Sequence, residues 1–309
     1  MNRTAQRGAL AALAAVALLA IAVQVAVAFS GDGRAQPTPK SFATQRVAID
    51  FTAVAGKKPV TCSTPIASLG TTARNARLGD LRFYVSNVQL LRKDGKAVSL
   101  KLPADSPWWT TQGKNGVTLI DLENAKGACA TEGTPGMNAS VRGTVPSGGY
   151  VGVRWLLGVP YALNHTDMTT APAPLNITAL GWSWQVGRKY AKIEVTDAGD
   201  GAPWPAKTFF VHLGSTACAG NPVIGEDVGC SYPNRHDVTL KKFNPQRQRI
   251  AVDLKTLYAG VDVTTNGGGA GGCMSSTSDP ECPAIFSALG MKLGSSDETR
   301  QSVFRVVGK

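Results

Sequence analysis

The chain carries only three histidines, His165, His212 and His236, so imidazole chemistry must draw on these. His165 stands in Leu163-Asn164-His165-Thr166-Asp167-Met168, a polar turn that runs into Ala171-Pro172-Ala173-Pro174. A histidine on a loop held by a rigid sheet is well placed for a metal or ligand. The alternative is a surface residue whose neighbours Asn164 and Asp167 organise a turn. Met168, further along the same turn, offers a soft thioether that suits copper, or fills a packing gap. His212 lies in the strand-like run Thr208-Phe209-Phe210-Val211-His212-Leu213 and shares a face with Phe210. Flanked by apolar residues, it is either a hydrogen-bonded core side chain or a ligand facing a partly buried site. His236 follows Pro233-Asn234-Arg235 in a turn and carries no special signal. Trp182 and Trp184, in Gly181-Trp182-Ser183-Trp184-Gln185, share one face of a strand, an arrangement that ordinarily serves packing.

The common enzyme constellations are absent. There is no Gly-x-Ser-x-Gly elbow, no His-Glu-x-x-His and no phosphate loop, so a hydrolase is a weak reading. The formal charge of +11 falls to +9 once Arg3 and Arg7 leave with the N-terminal segment described below. Nucleic-acid binding would need those charges clustered among aromatics, and they are scattered. Lys241-Lys242 and Arg247 to Arg249 read as a solvated face, for which an acidic protein partner is the more useful hypothesis.

Two kinds of element must position these residues. The first is a set of strands. Val47, Ile49 and Phe51, then Val151, Val153, Trp155 and Leu157, then Ala191, Ile193 and Val195, then Ile250, Val252 and Leu254 alternate as strands with one buried face do. Asp94-Gly95 between Leu81–Arg92 and Ala97–Leu102 predicts a hairpin and an antiparallel core. Helical periodicity is confined to short pieces, Asp253 to Tyr258 and Ala284 to Leu289, the second stopped by Gly290. The fold class expected is mainly β, an antiparallel β-sandwich or barrel-like single domain over 45–309, with long loops and short helices. Asn266 to Gly272 is almost all glycine and reads as a mobile loop. Three Asn-x-Ser/Thr matches, at Asn138, Asn164 and Asn176, are set aside as chance, because the leader looks bacterial. No internal repeat is found.

The second is a set of covalent staples. Arg3 and Arg7 precede an uncharged run from Gly8 to Val27 and an Ala26-Val27-Ala28 site, which predicts a signal peptide over 1–28 and a mature start at Phe29. An uncleaved membrane anchor is the competing reading, disfavoured by Gln24 and the cleavage site. No other stretch is long and apolar enough to span a membrane, and the polar, Gly- and Pro-containing segment over 29–44 reads as a flexible linker. Export to an oxidising compartment makes six cysteines, Cys62, Cys129, Cys218, Cys230, Cys273 and Cys282, read as up to three disulfides. Proximity favours Cys218 with Cys230 and Cys273 with Cys282, leaving Cys62 and Cys129. A zinc site is the rival, but the chain has no Cys-x-x-Cys pair.

One ordered set of motifs runs through nearly the whole mature chain, from about Val47 to Gly290. It comprises Asp80-Leu81-Arg82-Phe83-Tyr84-Val85-Ser86-Asn87-Val88, Leu119-Ile120-Asp121-Leu122, Gly158-Val159-Pro160 to Asn164-His165, and Ala173-Pro174-Leu175-Asn176. Trp182-Ser183-Trp184-Gln185, His212-Leu213-Gly214-Ser215 and Cys273-Met274-Ser275 complete it. This set resembles the MbnP copper-binding proteins, the four-Cys partner of the metallo-mystery pair. The resemblance implies a periplasmic β-rich protein that binds one copper ion, with ligands that include histidine and a kynurenine. The kynurenine would be made from tryptophan by a partner di-haem cytochrome c peroxidase of the MbnH type, and this chain would be that enzyme's substrate.

Carried onto this sequence, the resemblance makes His165 and His212 the ligands and Met168 a further candidate. It puts the kynurenine precursor in Trp182-Ser183-Trp184, with Trp184 favoured over Trp182. The segment Val186-Gly187-Arg188-Lys189-Tyr190 departs from the family, which usually shows Gly-Gly-Tyr-Lys-Phe there. The implied chemistry is coherent: imidazole suits copper, and opening the indole to an aromatic amine creates a donor that the intact N–H, itself only a hydrogen-bond donor, cannot supply. Two further readings belong to other classes. A structural or adhesion module predicts no stoichiometric metal, and a copper oxidoreductase predicts turnover, for which no substrate site is evident.

Overall fold

The computed structural model describes residues 43–183, 186–269 and 271–309. The expected signal peptide, the expected linker up to residue 42, and Trp184 lie outside those residues.

Alternating apolar residues build two sheets. One has β1 (Thr44–Ala55), β2 (Lys58–Pro59), β8 (Ser140–Pro146), β17 (Gln248–Asp253) and β18 (Phe304–Gly308), with β1 at its centre, paired to β2, β8 and β17. The other is organised on the 18-residue strand β4 (Arg74–Leu91). Its remaining strands are β3 (Ile66–Leu69), β5 (Ala97–Ser99), β6 (Trp109–Gln112), β7 (Asn115–Asp121), β9 (Gly152–Leu157), β12 (Ala191–Asp197), β13 (Thr208–Leu213) and β16 (His236–Lys241). Two short ribbons stand apart: β10 (Gly181–Trp182) with β11 (Gly187–Arg188), and β14 (Thr216–Ala219) with β15 (Gly229–Tyr232).

The two sheets meet as a sandwich. Phe51 of β1 and Phe304 of β18 pack against Phe83 of β4 and Trp155 of β9, with ring centroids 5.4 to 5.8 Å apart and mostly edge-to-face. That geometry sets positive ring edges on negative faces and adds to the apolar area these rings remove from water. The expected mainly β class holds. Strand β4 decides the architecture, because both its faces are buried. Leu81, Phe83 and Val85 point into the sandwich, while Asp80, Arg82, Tyr84 and Ser86 point to the opposite face, where the long loops cover them.

Four local readings need correction. The core is not wholly antiparallel: β1 and β17 pair in parallel, Phe51 opposite Ile250, which is possible because nearly the whole domain lies between them and supplies the crossover. The alternation Ile250, Val252, Leu254 breaks at its last member, since Asp253 accepts a hydrogen bond from Lys255 N (3.1 Å) and caps helix α2. Short helices here are α1 (Tyr161–Asn164), α2 (Leu254–Leu257) and α3 (Cys282–Leu289). His236 is no turn residue; it opens β16 opposite Leu157 and is buried, because the turn closes one residue earlier, with Asn234 at φ 49°. Val151, expected on a buried face, precedes β9 and is 45% exposed. The Asp94-Gly95 hairpin forms, with Gly95 taking the positive φ of 82°, although β5 ends at Ser99.

The cysteines pair as Cys62–Cys129, Cys218–Cys230 and Cys273–Cys282. The first closes 67 residues and the others 12 and 9. On chain-entropy grounds it contributes the most, about 4 kcal/mol against roughly 3 for each short loop.

The Trp155 indole N–H has no hydrogen-bond partner, so this residue acts through packing alone. Trp155→Ala should cost about 3–5 kcal/mol of unfolding free energy and Trp155→Phe clearly less. Urea midpoints of the two variants test this; equal losses would mean that the ring pyrrole, not the inter-sheet contact, carries the stability.

Candidate metal centre

His165 follows α1, and a pair of oriented groups defines its protonation. Its Nδ1 lies 2.7 Å from the Val186 carbonyl, which can only accept, so Nδ1 carries the proton. Its Nε2 lies 3.0 Å from Asn164 Nδ2. The amide orientation is set by Arg188 N, which donates to Asn164 Oδ1 at 3.0 Å, so Nδ2 donates to a lone pair on Nε2. A backbone carbonyl that holds one imidazole nitrogen and thereby presents the other is the arrangement metal-binding histidines use. Burial lowers the His165 pKa and outweighs the Val186 bond; Arg235 and Arg188 lower it further. The ring is therefore neutral near pH 7.

Arg188 pins the loop that carries this histidine. Buried in β11, it donates from Nε to Leu175 O (2.7 Å), from Nη1 to Leu163 O (2.8 Å) and Asn164 O (2.5 Å), and from Nη2 to Thr166 Oγ1 (3.1 Å). Gly187 beside it must stay small: a Cβ there would lie 2.9 Å from Asn164 Nδ2 and 3.2 Å from His165 Cε1.

His212 sits on β13 at the end of a buried charge network. Its Nε2 donates to Glu194 Oε1 at 2.7 Å, which leaves Nδ1 as the lone-pair nitrogen. Burial lowers its pKa more than the Glu194 bond raises it. For Glu194, burial pushes upward, but the His212 bond and Lys192 together hold the carboxyl below its usual value. Lys192 Nζ lies 2.7 Å from Glu194 and 2.7 Å from Asp80, and Asp80 takes two bonds from Arg82. Register puts them all on one sheet face: Glu194 opposite Asp80, and Lys192 between His212 and Arg82. Asp121, opposite Arg82 on β7, joins the same face, with Glu123 beside it and Thr134 Oγ1 bonded to both.

Trp182 touches the elements that carry each histidine. On the β10–β11 ribbon Trp182 pairs with Gly187, the glycine against His165. The indole of Trp182 packs on Gly214, two residues beyond His212, where a Cβ would come within 2.5 Å of the ring. This accounts for the glycine in His212-Leu213-Gly214-Ser215. Trp182 also lines a cleft of about 370 Å³ with Thr216, Tyr232, Met274 and Asp279. Met168 packs its thioether on Gly181, next to Trp182. The glycine-rich segment Asn266–Gly272 leads to an added backbone pairing along β13, Val211 with Cys273, and Gly272 at φ 69° passes against the Phe210 backbone. The structure therefore links His165, Trp182, Met168 and the His212 strand through adjoining contacts. Trp184 and Gln185 lie outside the described residues.

Sequence reasoning missed Asn164, Arg188, Lys192 and Glu194 as supporting residues. In Ala191-Lys192-Ile193-Glu194-Val195 the charges alternate as a solvated face would. The available signal was the motif Asp80-Leu81-Arg82, which pairs with that strand.

The MbnP family model matches residues 44–275. Among solved structures, MbnP from Methylosinus trichosporium is similar, at 35% sequence identity and a TM-score of 0.75, over 86% of this chain and 99% of that one. No curated protein matches.

Asp121 has its pKa pushed up to about 7, by burial and then by Glu123. An acid raised in the folded state binds its proton more tightly there, so its favourable contribution is complete below 3.8 and is lost as pH rises through about 7. Asp121→Asn should therefore lose less stability than the wild type between pH 5 and 7.5, measured by urea midpoints. Identical slopes would show that Asp121 titrates normally.

Proposed function

Because the chain belongs to the MbnP family, we propose that it binds one copper ion through His165, His212 and a kynurenine derived from Trp184 or Trp182, in copper handling or acquisition. The observation that carries the ligand assignment is the orientation of the two imidazoles. Val186 O accepts from His165 Nδ1 and so leaves the lone pair on Nε2, where it accepts from Asn164 Nδ2 until a metal displaces that bond, while Glu194 takes the His212 Nε2–H and leaves the lone pair on Nδ1. Both rings are neutral and lone-pair-bearing before any metal arrives. Nitrogen donors of this kind suit copper above other first-row divalent ions. Copper, when bound, supplies a charge and a coordination sphere; the protein supplies the orientation and the dry surroundings.

The modification converts a donor into an acceptor. Peroxide oxidation splits the indole pyrrole ring with two oxygen atoms added, and hydrolysis then releases the formyl carbon as formate. The residue loses one carbon, gains one oxygen and exposes an arylamine with a lone pair. A di-haem cytochrome c peroxidase of the MbnH type is the proposed oxidant, which makes this chain its substrate and a binding protein rather than a catalyst. The cleft beside Trp182 supports access to that segment. Met168, half-buried on Gly181, is a further ligand candidate. Three disulfides fit an oxidising compartment, and with the N-terminal basic and apolar segment they support export to the periplasm. Among the described residues no helix is long and apolar enough to cross a membrane.

Protein co-expressed with such a peroxidase should contain one copper per chain, measured by elemental analysis. Peptide mass spectrometry should find the carbon-for-oxygen exchange at Trp184 or Trp182. His165→Ala and His212→Ala should each abolish stoichiometric copper, and Glu194→Gln should weaken it about 10- to 100-fold. Because burial lowers both imidazole pKa values, release should begin only below 6.5. Unchanged copper in both histidine variants overturns the assignment, and a metal-free wild type favours the structural-module reading.

A further inference from the structure

Among the described residues, one disulfide differs in kind from the other two. Cys62–Cys129 and Cys273–Cys282 are buried, whereas both halves of Cys218–Cys230 are partly exposed. The exposed bond joins directly opposed residues of the β14–β15 ribbon. It also touches the candidate centre: Cys230 Sγ lies 3.4 Å from His165 Nε2, the lone-pair nitrogen. That nitrogen and the two sulfurs lie within 4.8 Å of one another.

We propose that Cys218–Cys230 is a redox-gated ligand pair: once reduced, its two thiolates and the His165 imidazole form a three-donor site for Cu(I). The chemistry follows from the donors. A disulfide sulfur is a poor ligand, and a thiolate is a strong, soft one. Metal–sulfur and metal–nitrogen bonds of about 2.3 and 2.0 Å put trigonal donors roughly 4 Å apart. The present nitrogen-to-sulfur separation is already close to that. The sulfurs reach it by turning about their Cα–Cβ bonds, with the ribbon still held by Thr216 opposite Tyr232 and Ala219 opposite Gly229. Two thiolates and an imidazole can also hold zinc with a water in the fourth position; the softness of the thiolates favours Cu(I), and the competition with Zn(II) below decides between them.

The electron count is simple. A dithiol reductant attacks the exposed bond through a mixed disulfide and leaves as its own disulfide; the Cys218–Cys230 bond breaks and receives two electrons and two protons. Cu(I) then displaces the two thiol protons into solvent, with no change in its oxidation state. Two arginines stand around the imidazole. Arg235 and Arg188 both act on His165, and Arg235 stacks 5.7 Å over the Tyr161 ring, which lies 5.3 Å from the His165 ring. Exposure makes this bond the one a mild reductant opens first. The inference rests on the copper reading only in its use of His165; the thiolates are additional.

Limited dithiothreitol followed by anaerobic desalting and alkylation should label Cys218 and Cys230 and leave the other four cysteines bonded. Reduced, unalkylated protein titrated with Cu(I) against a chromophoric chelator should bind it at least about tenfold more tightly than the oxidised form. X-ray absorption should show two sulfur neighbours. The double variant Cys218→Ser/Cys230→Ser should lose that gain, and alkylating the reduced wild type should do the same without depending on a variant that folds. Copper in the oxidised wild type and in the double variant reports separately on the His165 and His212 reading. Labelling of Cys62, Cys129, Cys273 or Cys282 under the same conditions overturns the proposal. So does equal Cu(I) affinity in both redox states, a copper environment without sulfur, or preferential uptake of Zn(II).

Discussion

Five ionisable side chains form a continuous chain out of water on one face of the larger sheet, and each is tolerable only because its neighbour is there. Asp80 and Arg82 on β4, Lys192 and Glu194 on β12, and His212 on β13 form a chain of opposite charges across three strands. Removing one member of such a network leaves an uncompensated buried charge, which costs about 3–5 kcal/mol. The network does not make the fold stable beyond what apolar residues would; it fixes strand register, because a slip of one residue would turn every charge into the aromatic core. It also fixes His212. The ring has one nitrogen committed to Glu194, so its other nitrogen carries the lone pair.

A second system orients His165 by different means. Arg188 is buried with no carboxylate bonded to it and is satisfied by three carbonyls and a hydroxyl of the 163–175 loop. Its charge is met by peptide dipoles, and the loop is held by a group that donates in several directions at once. The two histidines are thus positioned independently, one from the sheet and one from a pinned loop. The ribbon bearing Trp182 bridges them, touching Gly214 beyond one histidine and pairing with Gly187 against the other. Precise placement of this kind comes from supporting residues more than from the ligands.

The staples divide along similar lines. Cys62–Cys129 and Cys273–Cys282 lie in the interior, where they hold the loops over the charged face and the added pairing along β13. Cys218–Cys230 lies at the edge against His165, so the separation of staples from ligands expected from the cysteine count is not complete in space. Cysteine number and order along the chain report on pairing, but not on what the bonded pair lies against.

Alternation along the chain was enough to determine the mainly β class, the Asp94-Gly95 hairpin and the short helix ended by Gly290, since each depends on neighbours within a few residues. The motif order was enough to identify the family. The chain alone misplaced His236, because a turn residue shifts local periodicity by a single position, and it gave Leu254 both a strand and a helix reading, which the cap at Asp253 decides for the helix. It could not reveal Lys192 and Glu194, whose alternating charges look solvated. Only when the loop from Gly158 to Tyr190 and the residues around Glu132 close over that face does water leave. Glu194, held by Lys192, then becomes the partner that sets the proton on His212. Tautomer and burial are properties of what lies across space, and no pattern within one strand encodes them.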